Sequence, residues 1–216
     1  MKLLSIVFVS IILYSCGERE VLKVNVSPLR AMEEPVRSCS DYLSMFHPFS
    51  SDTFKIESPD QEESQSKNPF FGRELASSLY SFIDTTVIQR TDGASKVFAC
   101  FKRKLSDGNY LLIMRTPGEY WESTIELFVF DSLAQKNIAH LEVAESWGDA
   151  GDSMVKRSYL MKENNKYRLI LFRYDCFFDQ TECTDSVSFY EIGDHISLIK
   201  ASLFDSSAAY SRLLRH

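Results

Sequence analysis

The sequence predicts a mainly β fold, an antiparallel meander that forms a sandwich, a curled sheet or a barrel. Three features predict it. Eight short apolar or alternating runs recur between residues 96 and 200. Turn-forming residues separate them. Several of the runs are apolar on both faces. Tight turns join antiparallel neighbours, whereas parallel strands need long crossovers.

The runs are VFACFKRK (97–104), YLLIMR (110–115), TIELFVF (124–130), IAHLEVA (138–144), MVKRSYLM (154–161), KYRLILFRY (166–174), SVSFYEI (186–192) and HISLIK (195–200). Between them stand Ser106-Asp107-Gly108, Thr116-Pro117-Gly118, DSLAQKN, WGDAGD, KENN, the Cys176 to Cys183 segment and Gly193-Asp194. Successive side chains leave a strand on opposite sides. In 124–130, Ile125, Leu127 and Val129 therefore point one way and Phe128 and Phe130 the other. In 166–174, Leu169 and Leu171 oppose Ile170 and Phe172. A sheet apolar on both faces needs cover on both, from a second sheet or from the N-terminal region.

That region, 21–95, reads as a preceding segment, and 96–216 as the β domain. Leu22, Val24 and Val26 alternate as a short strand that Pro28 ends. Residues 57–68, ESPDQEESQSKN, read as a solvated loop. Leu75, Leu79, Phe82 and Ile83 sit at helical spacing and predict a short helix around 72–84. Thr85-Thr86-Val87-Ile88 suits a strand. The final AAYSRLLRH fits either a helical turn or a frayed tail.

The first residues carry a different message. Met1-Lys2 is a basic start, and LLSIVFVSIILY is an apolar run of twelve residues. A bilayer-spanning helix needs about 20, so residues 1–15 read as a secretory signal peptide. Leu13-Tyr14-Ser15-Cys16 resembles a lipobox, with Leu13, Ser15 and Cys16 in place and Tyr14 where a small residue is usual. Acidic residues follow in Gly17-Glu18-Arg19-Glu20, so 16–20 resembles the lipidated Cys and tether of Bacteroidetes-type lipoproteins of uncharacterised function. The order YLLIMR, TIELFVFD, WGDAGD, Ser158-Tyr159-Leu160 is similar to the same group. The resemblance implies cleavage before Cys16, acylation of that residue by chains such as palmitate, and an outer-membrane or cell-surface place. Each buried CH₂ of such chains contributes ~0.8 kcal/mol, so several chains make a stable anchor.

Net charge is −6, hydrophobic residues reach 44% and aromatics 13%. That is enough apolar matter for a core. The acidic balance, with no basic stripe, argues against nucleic acid as a partner. With Cys16 acylated, four cysteines remain for an oxidising compartment. Cys176–Cys183 closes a short loop, and Cys39–Cys100 follows by subtraction. The chain-entropy model assigns about 2.5 and 4 kcal/mol to the two loops. A zinc site is the rival reading, but close CxxC pairs are absent.

No chemistry stands out. A G-x-S-x-G elbow is missing. The histidines, His47, His140, His195 and His216, read as ordinary surface or strand positions, and Cys100 as a structural cysteine within an apolar run. Glu119, Glu122 and Glu126 beside Tyr120 and Trp121 are candidates for a glycosidase pair. Exposed strand-end carboxylates are the plainer account. Asp149, Asp152, Asp175, Asp179, Glu182 and Asp185 could suggest calcium, yet Asp and Gly are what turns require. We therefore expect neither metal nor cofactor.

Aromatics at the turns give the remaining candidates: Tyr120, Trp121, Trp147, Phe177 and Phe178 as ligand-contact rings. The expected protein is a membrane-anchored lipoprotein with a non-catalytic β domain that binds a protein or glycan partner. The alternative is a carbohydrate-active protein, either a glycan-binding accessory or a glycosidase.

Overall fold

The computed structural model describes residues 38–59, 68–90, 96–106, 108–118, 124–149, 152–163, 166–177 and 182–205. The expected leader, Cys16, the strand expected at 22–26, most of the 57–68 loop and the C-terminal AAYSRLLRH lie outside these residues.

In chain order the elements are α1 (Cys39–Ser44), β1 (His47–Pro48), β2 (Thr53–Glu57), a 3₁₀ turn (Pro69–Phe71), β3 (Arg73–Glu74), a second 3₁₀ turn (Ser77–Phe82), α2 (Thr85–Gln89), β4 (Phe98–Lys104), β5 (Asn109–Thr116), β6 (Thr124–Asp131), β7 (Lys136–Asp149), β8 (Asp152–Glu163), β9 (Lys166–Phe177), β10 (Glu182–Ile192) and β11 (Ile196–Asp205). The eight runs read from the sequence are β4 to β11. Each pairs antiparallel with the next in chain order. The whole is an eleven-stranded mixed sheet that is not closed into a barrel.

Strand β7 belongs to two sheets. Lys136 to Ala144 pair with β6, and Glu145 to Asp149 pair with β8. Beyond that point β2 takes the place beside β8, with Ile56 opposite Ser158 and Phe54 opposite Leu160. The first sheet thus holds β1, β3 to β6 and most of β7. The second holds the end of β7, β8 to β11 and β2.

Two cores explain why the strands are apolar on both faces. One joins Leu111, Ile113, Ile125, Leu127 and Val129 of the first sheet to Ile56, Leu160, Leu169, Leu171 and Ile192 of the second. On the other face of the first sheet, Leu112, Met114, Phe128 and Phe130 meet Tyr42, Phe46, Leu75, Leu79, Phe82 and Val87 from the N-terminal segment. The Tyr42 ring lies 5.1 Å from Phe82 and 5.3 Å from both Phe46 and Phe130. Fully burying one such side chain stabilises by about 1.5–3 kcal/mol. Sandwich and N-terminal cap are therefore both present. In β4 the register shifts between Ala99 and Phe101, so Ala99 faces the capped core while Cys100 and Phe101 serve the inter-sheet core.

The N-terminal segment refines one expectation and corrects another. The short helix expected around 72–84 is the 3₁₀ helix Ser77–Phe82, preceded by the two-residue strand Arg73–Glu74. Leu79 and Phe82 are three apart, which is one turn of a 3₁₀ helix, and both are buried. Thr85–Gln89 is an α-helix rather than a strand. The Asp84 side chain caps it, accepting from the Thr86 amide at 2.8 Å and the Thr86 hydroxyl at 2.7 Å. Burial of Val87 holds it on the sheet. A local cap and a packing contact outweigh the strand preference of β-branched residues.

Candidate functional site

The cysteines set one end of the second sheet. Cys176 and Cys183 are cross-strand partners on β9 and β10 and are joined by a disulfide. The expected second bridge does not form. Cys39 and Cys100 are free thiols because the first sheet lies between them. Cys100 is buried in the inter-sheet core with its thiol 3.3 Å from the Phe70 carbonyl, and Cys39 packs on the capped face, near the Ser132 carbonyl. Burial pushes the Cys100 thiol up to about 12.

A seam of fixed charges runs along β6 to β9. An irregularity between Ile125 and Glu126 sets Glu126 opposite Glu142 and Phe128 opposite His140. Glu126 is 1% exposed. Its carboxylate accepts from the Thr116 hydroxyl at 2.9 Å and from the Arg90 guanidinium, which arrives from the end of α2. Glu142 binds the Lys156 ammonium. Glu145, also buried, accepts from the Thr124 hydroxyl at 3.1 Å. Across the strands Glu145 opposes Lys156, and Lys156 opposes Arg173. Arg173 donates from Nε to Asp175 at 2.7 Å. That bond, then the nearby Glu142 and Glu145, raise its pKa against the opposing effect of burial.

A cleft of about 390 Å³ opens over this seam, lined by Thr86, Arg90, Glu126, His140, Leu141 and Glu142. At its margin, hydrogen bonds from Thr86 hold the Asp84 carboxyl below its usual range, with His140 and Arg90 adding to the effect. The cleft brings the Thr86 hydroxyl, the Arg90 guanidinium, the His140 ring and the Glu126 and Glu142 carboxylates to one polar surface. Glu126 reached the cleft from the sequence candidates; Glu119 and Glu122 lie outside the described residues.

Two of the five aromatic candidates share a face. Trp147 opposes Met154, which opposes Asp175, and Phe177 follows Asp175 by two residues. Cross-strand partners and alternate residues share a face, so Trp147, Lys156, Arg173 and Phe177 lie on one face at one end of the second sheet. Trp147 is half-buried and Phe177 is 39% exposed. Tyr120, Trp121 and Phe178 lie outside the described residues. Of the histidines, His140 lines the cleft, while His47 and His195 are exposed elsewhere. Asp149 and Asp152 are cross-strand partners where β7 gives way to β8. No group of three or more His, Cys, Asp or Glu among the described residues is placed to hold a metal ion.

Sequence reasoning missed Arg90, Thr116, Thr124, Glu142, Glu145, Lys156 and Arg173. Thr116, Thr124 and Glu126 carried a signal, being polar positions that bound or interrupt apolar runs. Arg90 carried none, because its partner lies 36 residues away on another element. Comparison with known proteins gives no match: no family model, curated protein or solved structure is detectably similar to this chain.

Proposed function

We propose that the chain is an exported lipoprotein, acylated at Cys16 and held on the outer membrane or cell surface, whose β domain binds a protein or glycan partner. The binding surface is the end of the second sheet that carries Trp147 and Phe177. The observation that carries this reading is that two aromatic side chains, remote in sequence, share one face with Lys156 and Arg173 beside the polar cleft. A half-buried ring and an exposed one next to fixed charges suit the apolar face and hydroxyl rim of a sugar, or the anchor residues of a protein interface. The Cys176–Cys183 disulfide supports an oxidising compartment. The apolar leader ending at Cys16 supports export and lipid attachment.

The test is binding by the detergent-solubilised protein to a glycan array and to solubilised envelope proteins, with Trp147→Ala and Phe177→Ala alongside. Loss of a specific signal in both variants, with unchanged melting, is the expected result. Undiminished signal in both would overturn the surface assignment. Intact mass of the natively expressed protein checks the anchor; a product retaining Met1 and lacking fatty acid would overturn it.

A second reading, a glycosidase, draws on Glu126 and Glu142, cross-strand neighbours that both line the cleft. Both carboxylates already face cations, and a general acid needs a proton to give at the glycosidic oxygen. Turnover of a glycoside that Glu126→Gln abolishes would establish this reading in place of the first.

A further inference from the structure

The Cys176–Cys183 bridge is not needed to hold its strands together. Pairing of β9 with β10 runs without a register break from Tyr167 and Ile192 to Phe177 and Glu182, and β8 and β11 flank the pair on either side. The two sulfurs also differ. Cys176 is fully buried, while Cys183 is partly exposed. A thiol from outside therefore meets Cys183 first.

The next row of the same face holds two polar side chains. Cross-strand partners and alternate residues share a face, so Tyr174 and Asp185, which oppose each other, stand beside the bridge on one side of the sheet. The Tyr174 hydroxyl lies 2.7 Å from Cys176 Sγ and 3.4 Å from Cys183 Sγ. Asp185 is 7% exposed, and its Oδ2 has no hydrogen-bond partner. Burial raises its pKa, since an ionised carboxylate without a partner is costly there. It follows Cys183 by two residues, roughly 7 Å along the strand. A bridge that only staples a hairpin has no use for a hydroxyl on its sulfurs and a proton held in the next row.

We propose that Cys176–Cys183 is a redox site, which a dithiol reduces through a mixed disulfide on Cys183. The donor's thiolate attacks Cys183 Sγ. A bond from the donor sulfur to Cys183 forms as the Cys176–Cys183 bond breaks, and the electron pair goes to Cys176. The Tyr174 hydroxyl donates to the thiolate left on Cys176, and Asp185 supplies the proton that turns it into a thiol. The donor's second thiolate then attacks the donor sulfur of the mixed disulfide and releases Cys183 as a thiolate, which takes a proton from water. The donor ends as a disulfide, oxidised by two electrons, and the protein as two thiols. Asp185 regains its proton from solvent. The ease with which a thiolate leaves governs such a step, so both side chains act on the departure of Cys176 and not on the attack at Cys183.

The test uses the detergent-solubilised full chain carrying Cys39→Ser, which leaves the bridge as the exchanging group. Dithiothreitol is added without denaturant, and alkylation followed by mass measurement gives the rate. The bridge of the folded parent is expected to open. Tyr174→Phe and Asp185→Asn are each expected to slow its opening roughly tenfold or more. A second measurement separates chemistry from structure. With Cys176→Ala added and glutathione joined to Cys183, dithiothreitol should release glutathione at a rate that neither substitution changes, because no buried thiolate forms. A bridge that stays closed until urea unfolds the chain overturns the proposal, as does the parent's rate of opening in either variant. Equal slowing of glutathione release overturns it too, as does uptake of glutathione by Cys176 in Cys183→Ala as fast as by Cys183 in Cys176→Ala.

Discussion

Glu126 and Glu142 face each other across β6 and β7, and each is bound to its own cation, Arg90 or Lys156. Like charges placed directly opposite on a sheet repel, so the pair persists through those cations. Arg90→Met is expected to lower stability by about 1–3 kcal/mol. This is less than for a wholly buried pair, because the Arg90 side chain is 39% exposed and water replaces part of what is lost. Lys156, 10% exposed, leaves less room for water, and Lys156→Met should cost about 3 kcal/mol. Adding Glu126→Gln to Arg90→Met should return part of the loss. Urea midpoints at neutral pH decide this; identical midpoints for wild type and Arg90→Met would remove the pair from the stability account.

The four cysteines among the described residues separate into three kinds, which a thiol map can read. Under native conditions iodoacetamide should label Cys39 slowly, Cys100 not at all, and neither Cys176 nor Cys183. Cys100 is protected by burial and by a thiol that stays protonated through ordinary pH. Reducing Cys176–Cys183 should cost about 2.5 kcal/mol by the chain-entropy model for a loop this short. A recovered peptide linking Cys39 to Cys100 would contradict the placement of the first sheet between them.

Asp185 supplies a pH test. Burial raises its folded-state pKa, so the ionised form is penalised in the folded chain. Folding therefore binds extra proton between the ordinary Asp pKa and the raised one, and stability falls as pH rises through that window. Asp185→Asn should be more stable than wild type at neutral pH. The gain should vanish below the ordinary Asp range. Melting curves from pH 3 to 8 measure it, and a gain that instead grew toward acid would show the opposite sign of shift.

Gly72 ends the first 3₁₀ turn at φ 65° and ψ −170°, a region nearly reserved for glycine. A Cβ there would stand 2.8 Å from the Ala99 carbonyl oxygen and 2.9 Å from the Cys100 sulfur. Gly72→Ala should cost about 1–3 kcal/mol from backbone conformation alone, with the contact against β4 backbone adding to it. Denaturant midpoints against wild type measure the loss. A midpoint within error of wild type would mean that the turn relaxes freely.

The β domain was legible because its signals are local. Each run of β4 to β11 carries its own alternation, and the turn residues mark where it ends. Two-sided apolarity in TIELFVF announced cover on both sides, which the inter-sheet core and the Tyr42 to Val87 layer supply. The boundary of β7 was not legible: Trp147 looked like the start of a turn, but pairing with Met154 carries the strand through it. Helix α2 was hidden for a similar reason, since Thr, Val and Ile favour strands until an aspartate cap intervenes. The Cys39–Cys100 expectation failed because subtraction counts thiols without regard to the sheet between them. The charged seam was the least readable part. Arg90, Glu126, Lys156 and Arg173 come from four elements, and only the fold makes them neighbours.

A strand held by both sheets has a mechanical consequence. If β7 lets go of β6, the segment that clasps β8 loses its support as well, so neither half of the domain has a private path to opening. Amide protons on β5 and on β9, far apart and in different layers, should then exchange through one common event. Partial melting that spared one layer would mean that the strand can be cut in two without either half noticing.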